Sequence, residues 1–154
     1  MTKKKEKPQV YDAVISLRTL QNCDDDEPDV LDFLTDGEYS FGDDIGRLDY
    51  EETEVTGMTG TRTSLTITPD RVIVDRRGNV NSRMEFAEGE RNSFLYSTPF
   101  GQATMSLNTR SIRRSFNENG GRAEIEYVID VDHALFTKNR FIINVTRTEG
   151  NGNA

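Results

Sequence analysis

A carboxylate and a guanidinium could meet inside the fold of this protein. Side chains of an extended chain alternate between two faces, so Leu48 and Tyr50 place Glu52 on their own face. By the same spacing, two valines of the stretch 71–77 carry Arg76 to their face. A buried carboxylate is costly unless it is paired. We therefore predict that the two side chains hydrogen-bond inside the protein, directly or through one water.

Two roles for this pair are open at the level of sequence. An internal ion pair would fix the register of the strands. Alternatively, it would be a polar anchor at the floor of a ligand cavity, because ligand pockets are mostly apolar with a few placed polar groups. Three tyrosines could add hydroxyls to such a site, or they could be core rings whose hydroxyls reach water. The candidate binding residues are Tyr50, Glu52, Arg76, Tyr96 and Tyr127.

Residues suited to nucleophilic catalysis are scarce. His133 is the single histidine, and no nucleophile is identifiable beside it. Cys23, the single cysteine, is surrounded by acids that disfavour its thiolate. One histidine and one cysteine do not make a zinc site. We predict no catalytic residue, and an enzyme is the least favoured class of function.

The acidic run 24–29 has the composition of a calcium loop but not its pattern. Its sixth position is Asp29 rather than glycine, and its twelfth is Thr35 rather than glutamate. It is interpreted as a solvated loop. Phosphate-loop and dinucleotide-binding glycine patterns do not occur in the sequence. We predict no bound metal and no cofactor.

Composition limits the partners. The 154 residues carry a formal net charge of −8 at pH 7, which argues against nucleic acid and anionic membranes. A single cysteine permits no internal disulfide, and the basic start lacks the apolar run of a signal peptide. No stretch approaches the roughly 18 apolar residues of a membrane span. These features predict a soluble, cytoplasmic protein.

One domain accounts for most of the chain. Residues 1–9 are predicted to be a disordered basic tail, and 149–154 a disordered C-terminal tail. Between them, residues 10–148 alternate in polarity and are divided by turn signals. The strongest hairpin signal is Asn119-Gly120-Gly121.

Three segments of this domain do not follow a simple alternation of strand and tight turn. Residues 30–35 are assigned to a strand that Asp36-Gly37 closes. Residues 102–117 are long for one strand and are predicted to bend after a turn with a glycine bulge at Gly101. Residues 133–139 are assigned to an excursion with room for one helical turn.

Eight to ten strands in sequence order favour an all-β, antiparallel up-and-down meander. Closing such a meander into a barrel avoids exposed edges, so a barrel is the first choice and a two-sheet sandwich the second. Because the inward-facing residues are bulky, a small cavity or none is expected. They are Tyr50, Val72, Val74, Met84, Phe86, Phe94, Tyr96, Met105, Leu107, Phe116, Ile125, Tyr127, Ile129, Phe141 and Ile143.

Several short motifs add a family resemblance. They are Tyr50-Glu51-Glu52-Thr53, Gly57, Arg76-Arg77-Gly78, Met84 with Phe86, Thr98-Pro99-Phe100-Gly101, and Glu124 to Tyr127. These motifs, in this order along the chain, resemble those of the YwiB-like family of small proteins from Gram-positive bacteria. The resemblance implies a calycin-type barrel, the broad architecture of lipocalins and fatty-acid-binding proteins. It implies no activity, because one fold serves many functions.

Two functions follow from the sequence. The first is a non-enzymatic binder of a small, partly apolar molecule, held in the barrel or at its mouth. The alternative is a filled barrel that acts through its surface, as a homodimer or as a module that binds a protein partner. The volume that the inward-facing side chains leave empty inside the barrel distinguishes these two functions.

Overall fold

The computed structural model describes residues 8–22, 27–131 and 135–148. These ranges form ten β-strands and contain no helix. They therefore include no helix that could cross a membrane. The strands are β1 (Tyr11–Gln21), β2 (Asp29–Gly42), β3 (Ile45–Glu51), β4 (Thr61–Ile67), β5 (Val72–Gly78), β6 (Ser82–Phe86), β7 (Arg91–Thr98), β8 (Gly101–Asn117), β9 (Gly120–Val131) and β10 (Leu135–Arg147).

Some of the sequence predictions concern residues outside the described ranges. They are most of the basic tail, at 1–7, and the C-terminal tail at 149–154. Cys23, the acidic residues 24–26 and the histidine His133 also lie outside.

The strands lie in one antiparallel sheet that is nearly closed into a barrel. Apart from β6 and β7, each strand pairs with the next along the chain, and β1 pairs with β10, where Ala13 lies opposite Arg147. β6 and β7 are the two edges of the sheet, and they meet at an isolated bridge between Asn81 and Ser97. The predicted all-β, up-and-down barrel is confirmed.

Alternation with period two decides which side chains the barrel encloses. In β4, Thr61, Thr63, Leu65 and Ile67 are buried, whereas the residues between them are more exposed. Every residue predicted to face inward belongs to the core or packs against it. The interior is therefore built from alternate residues of all the strands, as in other small barrels.

Two predicted interruptions are wrong. β2 runs without a break through Asp36-Gly37, because Gly37 pairs with Ala13 and packs closely. A Cβ at Gly37 would lie 2.5 Å from the carbonyl oxygen of Asp49 and 2.6 Å from Cδ1 of Ile15, so this glycine serves packing rather than a turn. Residues 135–139 are extended rather than helical, because they pair with β9 from Leu135 onward.

The predicted bends and turns are present. The pairing of β8 with β9 shifts register between Thr109 and Ser111, which is the bend of the long strand. Gly101 and Gly120 have φ of +144° and +134°, the region that only glycine adopts without strain.

Hairpin connections alternate between the two ends of the barrel. We call the end with the connections at 52–60, 79–81 and 99–100 the open end. The end with the connections at 43–44 and 118–119 is called the closed end.

The closed end is filled by two aromatic rings. Tyr39 and Phe116 lie with ring centroids 6.3 Å apart, and the Tyr39 hydroxyl donates to the carbonyl of Asn117 at 2.5 Å. Gly46 lies beside both rings, and Gly121 lies so close to Phe116 that a Cβ would be 2.5 Å from Cδ2 of that ring. Burial raises the pKa of Tyr39 from 10.0 to about 12, so its hydroxyl keeps the proton that it donates.

Candidate functional site

A cavity of about 260 Å³ lies inside the open end. Its walls are mainly apolar and come from strands around the barrel, including Val74, Phe94, Ile129 and Phe141. These residues are in the cavity wall because each occupies an inward position of its strand. The volume is just below the roughly 300–1,000 Å³ of common small-molecule sites, which points to a small occupant.

Three methionines line this cavity. Met84 comes from β6, Met105 from β8 and Met58 from the connection 52–60. Apart from the initiator position, these are all the methionines of the chain. Methionine has three rotatable bonds and a polarizable sulfur, so it adapts to irregular shapes. The wall of the open end can therefore adjust to a bound molecule.

Arg76 brings a positive charge into the cavity wall. Its side chain is 18% exposed, and its Nε lies 3.8 Å from Oε2 of Glu52. Its Nη1 lies 3.7 Å from the sulfur of Met84, a weak acceptor. The buried Nε has no hydrogen-bond partner. The predicted ion pair is thus present, but at a distance longer than a hydrogen bond.

Glu52 is held by other groups. Its side chain is 1% exposed, and its backbone N–H donates to the carbonyl of Thr61, which continues the ladder beyond β3. Thr56 donates its hydroxyl to Oε1 at 2.9 Å, and Thr63 donates its hydroxyl to Oε2. With both oxygens occupied, the carboxylate does not need a direct bond from Arg76.

Tyr50 completes this buried polar group. Burial raises the pKa of its hydroxyl above the ordinary value, and the negative charge of Glu52 raises it further. The phenol is therefore neutral and can donate a hydrogen bond. Its ring packs beside Phe33, with centroids 6.5 Å apart, rather than on the cavity.

The five predicted site residues separate into two groups. Arg76, Tyr96 and Tyr127 line the cavity, whereas Tyr50 and Glu52 lie outside its lining. The ring of Tyr127 packs edge-on against Phe86, with centroids 4.9 Å apart. Their role in binding a ligand stays a prediction.

Sequence reasoning missed the threonines that hold Glu52. Thr63 had a signal, because extending the inward face of β4 back from Leu65 by two residues reaches it. Thr56 had none, since it belongs to an irregular connection, where period two does not apply. Met58 was missed for the same reason.

Within the described ranges, no group of three or more His, Cys, Asp or Glu side chains is placed to hold a metal ion. The acidic run 24–29 is only partly described. The sequence prediction that the protein binds no metal and no cofactor stays a prediction.

Comparison with known proteins relates this fold to a family. The family model described as "Domain of unknown function (DUF1934)" matches residues 15–143, most of the chain. The chain belongs to this family. The YwiB-like resemblance of the sequence motifs is confirmed by a relative, "Uncharacterized beta-barrel protein YwiB" of Bacillus subtilis (strain 168). It is 29% identical over 108 residues, which are 70% of this chain and 75% of that protein.

A solved structure has the same fold. The "Crystal structure of ywiB protein from Bacillus subtilis" matches with a TM-score of 0.79 and 22% sequence identity. The match covers 91% of this chain and 94% of that one. At this identity the likeness concerns the barrel architecture alone.

Proposed function

We propose that this protein is a non-enzymatic binder of a small, partly apolar molecule, which it holds in the cavity of the open end. The observation that carries the proposal is the cavity itself, about 260 Å³ lined mainly by apolar side chains with one guanidinium among them. A mostly apolar pocket with few placed polar groups is the usual composition of a small-molecule site. Methionine-rich walls support binding because they can repack around an occupant.

The edge between β6 and β7 offers a route to this cavity. Met84 of β6 and Phe94 and Tyr96 of β7 line it, and these two strands are not joined by a continuous ladder. Separating them would break fewer backbone hydrogen bonds than separating any paired strands of the barrel. Access by local opening at this edge is therefore part of the proposal.

The proposal is tested with an uncharged fluorescent probe, N-phenyl-1-naphthylamine, which brightens in apolar surroundings. We expect saturable binding with one probe per chain. Met105→Trp would fill the cavity and abolish binding, whereas Thr104→Trp, on the exposed face of the same strand, would preserve it. Equal binding by both variants would show that the probe does not use this cavity, and the proposal would then fail.

A second candidate is a homodimer that acts through its surface. The observation in its favour is Phe100, which is 99% exposed at the tip of the connection between β7 and β8. A fully exposed ring at the tip of a connection is accessible for burial against a partner. Light scattering of the wild type and of Phe100→Ser would test this, with a dimer that the substitution dissociates as the supporting result.

We also propose a cytoplasmic location. The support is the single cysteine, which permits no internal disulfide and so gives no benefit from an oxidising compartment.

A further inference from the structure

We propose that the molecule bound at the open end is an organic anion, whose carboxylate receives hydrogen bonds from the guanidinium of Arg76. This inference rests on the proposed binding function and names the class of ligand. It predicts a short apolar chain or ring with one carboxylate, oriented with the charged group toward β5 and the apolar part toward the opposite wall.

The first argument is that Arg76 has unused donors. A guanidinium carries five N–H groups and no acceptor. Among the described residues, this guanidinium makes no hydrogen bond to an oxygen, and its one hydrogen bond is to the sulfur of Met84. Nη1 is bonded only to this weak sulfur acceptor, and Nη2 makes no hydrogen bond to a described residue, so a carboxylate of the ligand would supply the acceptors that these two groups lack.

The second argument concerns geometry. The Nε side of the guanidinium faces Glu52 at 3.8 Å, whereas the side chain lines the cavity. Guanidinium groups bind carboxylates through two parallel N–H donors, so one arginine can serve two carboxylates on different edges. Glu52 thus orients Arg76 and leaves its other edge to the cavity.

The third argument excludes a cationic ligand. Glu52 is the negative group nearest to Arg76, but its side chain is 1% exposed and lies outside the cavity lining. Its two oxygens already accept hydrogen bonds from Thr56 and Thr63. A bound ammonium group would meet the positive charge of Arg76 before it reached that carboxylate.

The size and composition of the cavity limit the rest of the ligand. A volume of about 260 Å³ has room for on the order of nine water molecules at about 30 Å³ each. The strands across the barrel from β5 contribute Ile129 of β9 and Phe141 of β10 to the wall, and these side chains suit an apolar group. A medium-chain fatty acid or an aromatic acid fits this description.

The test compares octanoate with 1-octanol, which differ in the charged group and share the chain. Each competes with N-phenyl-1-naphthylamine for wild-type protein. We expect octanoate to bind about tenfold tighter than octanol, a difference of about 1.4 kcal/mol, because its carboxylate makes charge-assisted hydrogen bonds that the hydroxyl does not. Glu52→Gln should strengthen octanoate binding, because it removes the competing negative charge and keeps the side-chain size.

Two variants assign the effect to Arg76. In the double variant Glu52→Gln/Arg76→Gln, which removes both charges together, the preference for octanoate should fall to about equal affinity for the two compounds. Arg77→Gln removes the neighbouring exposed arginine and should leave the preference unchanged. Circular dichroism checks that each variant is folded.

The outcomes separate this inference from the proposed function. Should octanol bind wild-type protein as tightly as octanoate, or should octanoate fail to displace a probe that does bind, the inference is wrong and the binding function stands. If Met105→Trp does not reduce binding of the probe, the proposed binding function itself is wrong. A preference for octanoate that survives in the double variant would also overturn the role of Arg76.

Discussion

At the closed end of the barrel, the Tyr39 hydroxyl donates to a backbone carbonyl and its ring packs with Phe116 over glycines. At the open end, the walls are flexible methionines, a cavity remains, and Arg76 has a buried Nε without a partner. The same alternation of side chains builds both ends. What differs is whether the inward positions are filled by rings and glycines or left with space and unused donors.

The closed end contributes stability through packing, whereas the open end holds the candidate binding site. Close packing at the closed end fixes the relative positions of the strands, since interiors at crystal-like density tolerate little change. At the open end, Glu52 accepts hydrogen bonds from two threonine hydroxyls and pairs with Arg76, and it lies outside the cavity lining. The polar group therefore stabilises the open end in place of a packed core.

The largest expected effect tests that role of Glu52. Glu52→Ala removes the acceptor of two threonine hydroxyls and leaves Arg76 without its counter-charge, so the free energy of unfolding should fall by about 3–5 kcal/mol. The control is Glu51→Ala, on the exposed face, where the pair with Arg62 contributes about 0–1 kcal/mol. Urea unfolding measures both. Equal losses would mean that the buried group contributes no special stability.

The next comparison adds one carbon atom at each end. Gly121→Ala places a methyl group 2.5 Å from Cδ2 of Phe116 at the closed end, and it should destabilise the protein by about 1–3 kcal/mol. Val74→Ile adds a carbon atom beside the cavity, and it should change stability by less than about 1 kcal/mol. Thermal unfolding checks the pair. A similar cost for both substitutions would contradict the difference in packing.

The smallest effect concerns the Tyr39 hydroxyl. Its pKa is about 12 in the folded protein against 10.0 unfolded, so between pH 10 and 12 the unfolded state releases a proton that the folded state keeps. Stability from this group is complete below pH 10 and falls as the pH rises toward 12. Tyr39→Phe should cost about 1 kcal/mol at neutral pH through the lost hydrogen bond.

The measurement for Tyr39 is the free energy of unfolding as a function of pH. The decline above pH 10 should be shallower in Tyr39→Phe than in the wild type, because one of the buried phenols no longer titrates. The phenol of Tyr50 remains as the internal control, since burial raises its pKa as well. Parallel declines would show that Tyr39 does not control the alkaline limit.

Local patterns in the sequence predicted the strands, the turn at Gly120 and the inward-facing residues. This worked because a strand has a period of two and because positive φ is cheap only for glycine, and both are properties of a few neighbouring residues. The same reasoning brought Glu52 and Arg76 to the interior. It was wrong at Gly37, where a glycine that looks like a turn is instead required by the close approach of the Asp49 carbonyl and of Ile15.

Tertiary structure alone decided what these inward residues do. Pairing of Ala13 with Arg147 closes the sheet across most of the chain, and only that closure shows which side chains share a cavity. Thr56 and Thr63 reach Glu52 from an irregular connection and a neighbouring strand, which keeps Arg76 at 3.8 Å rather than at hydrogen-bond distance. Burial and free volume depend on contacts between segments far apart in sequence, so no periodicity within one segment encodes them.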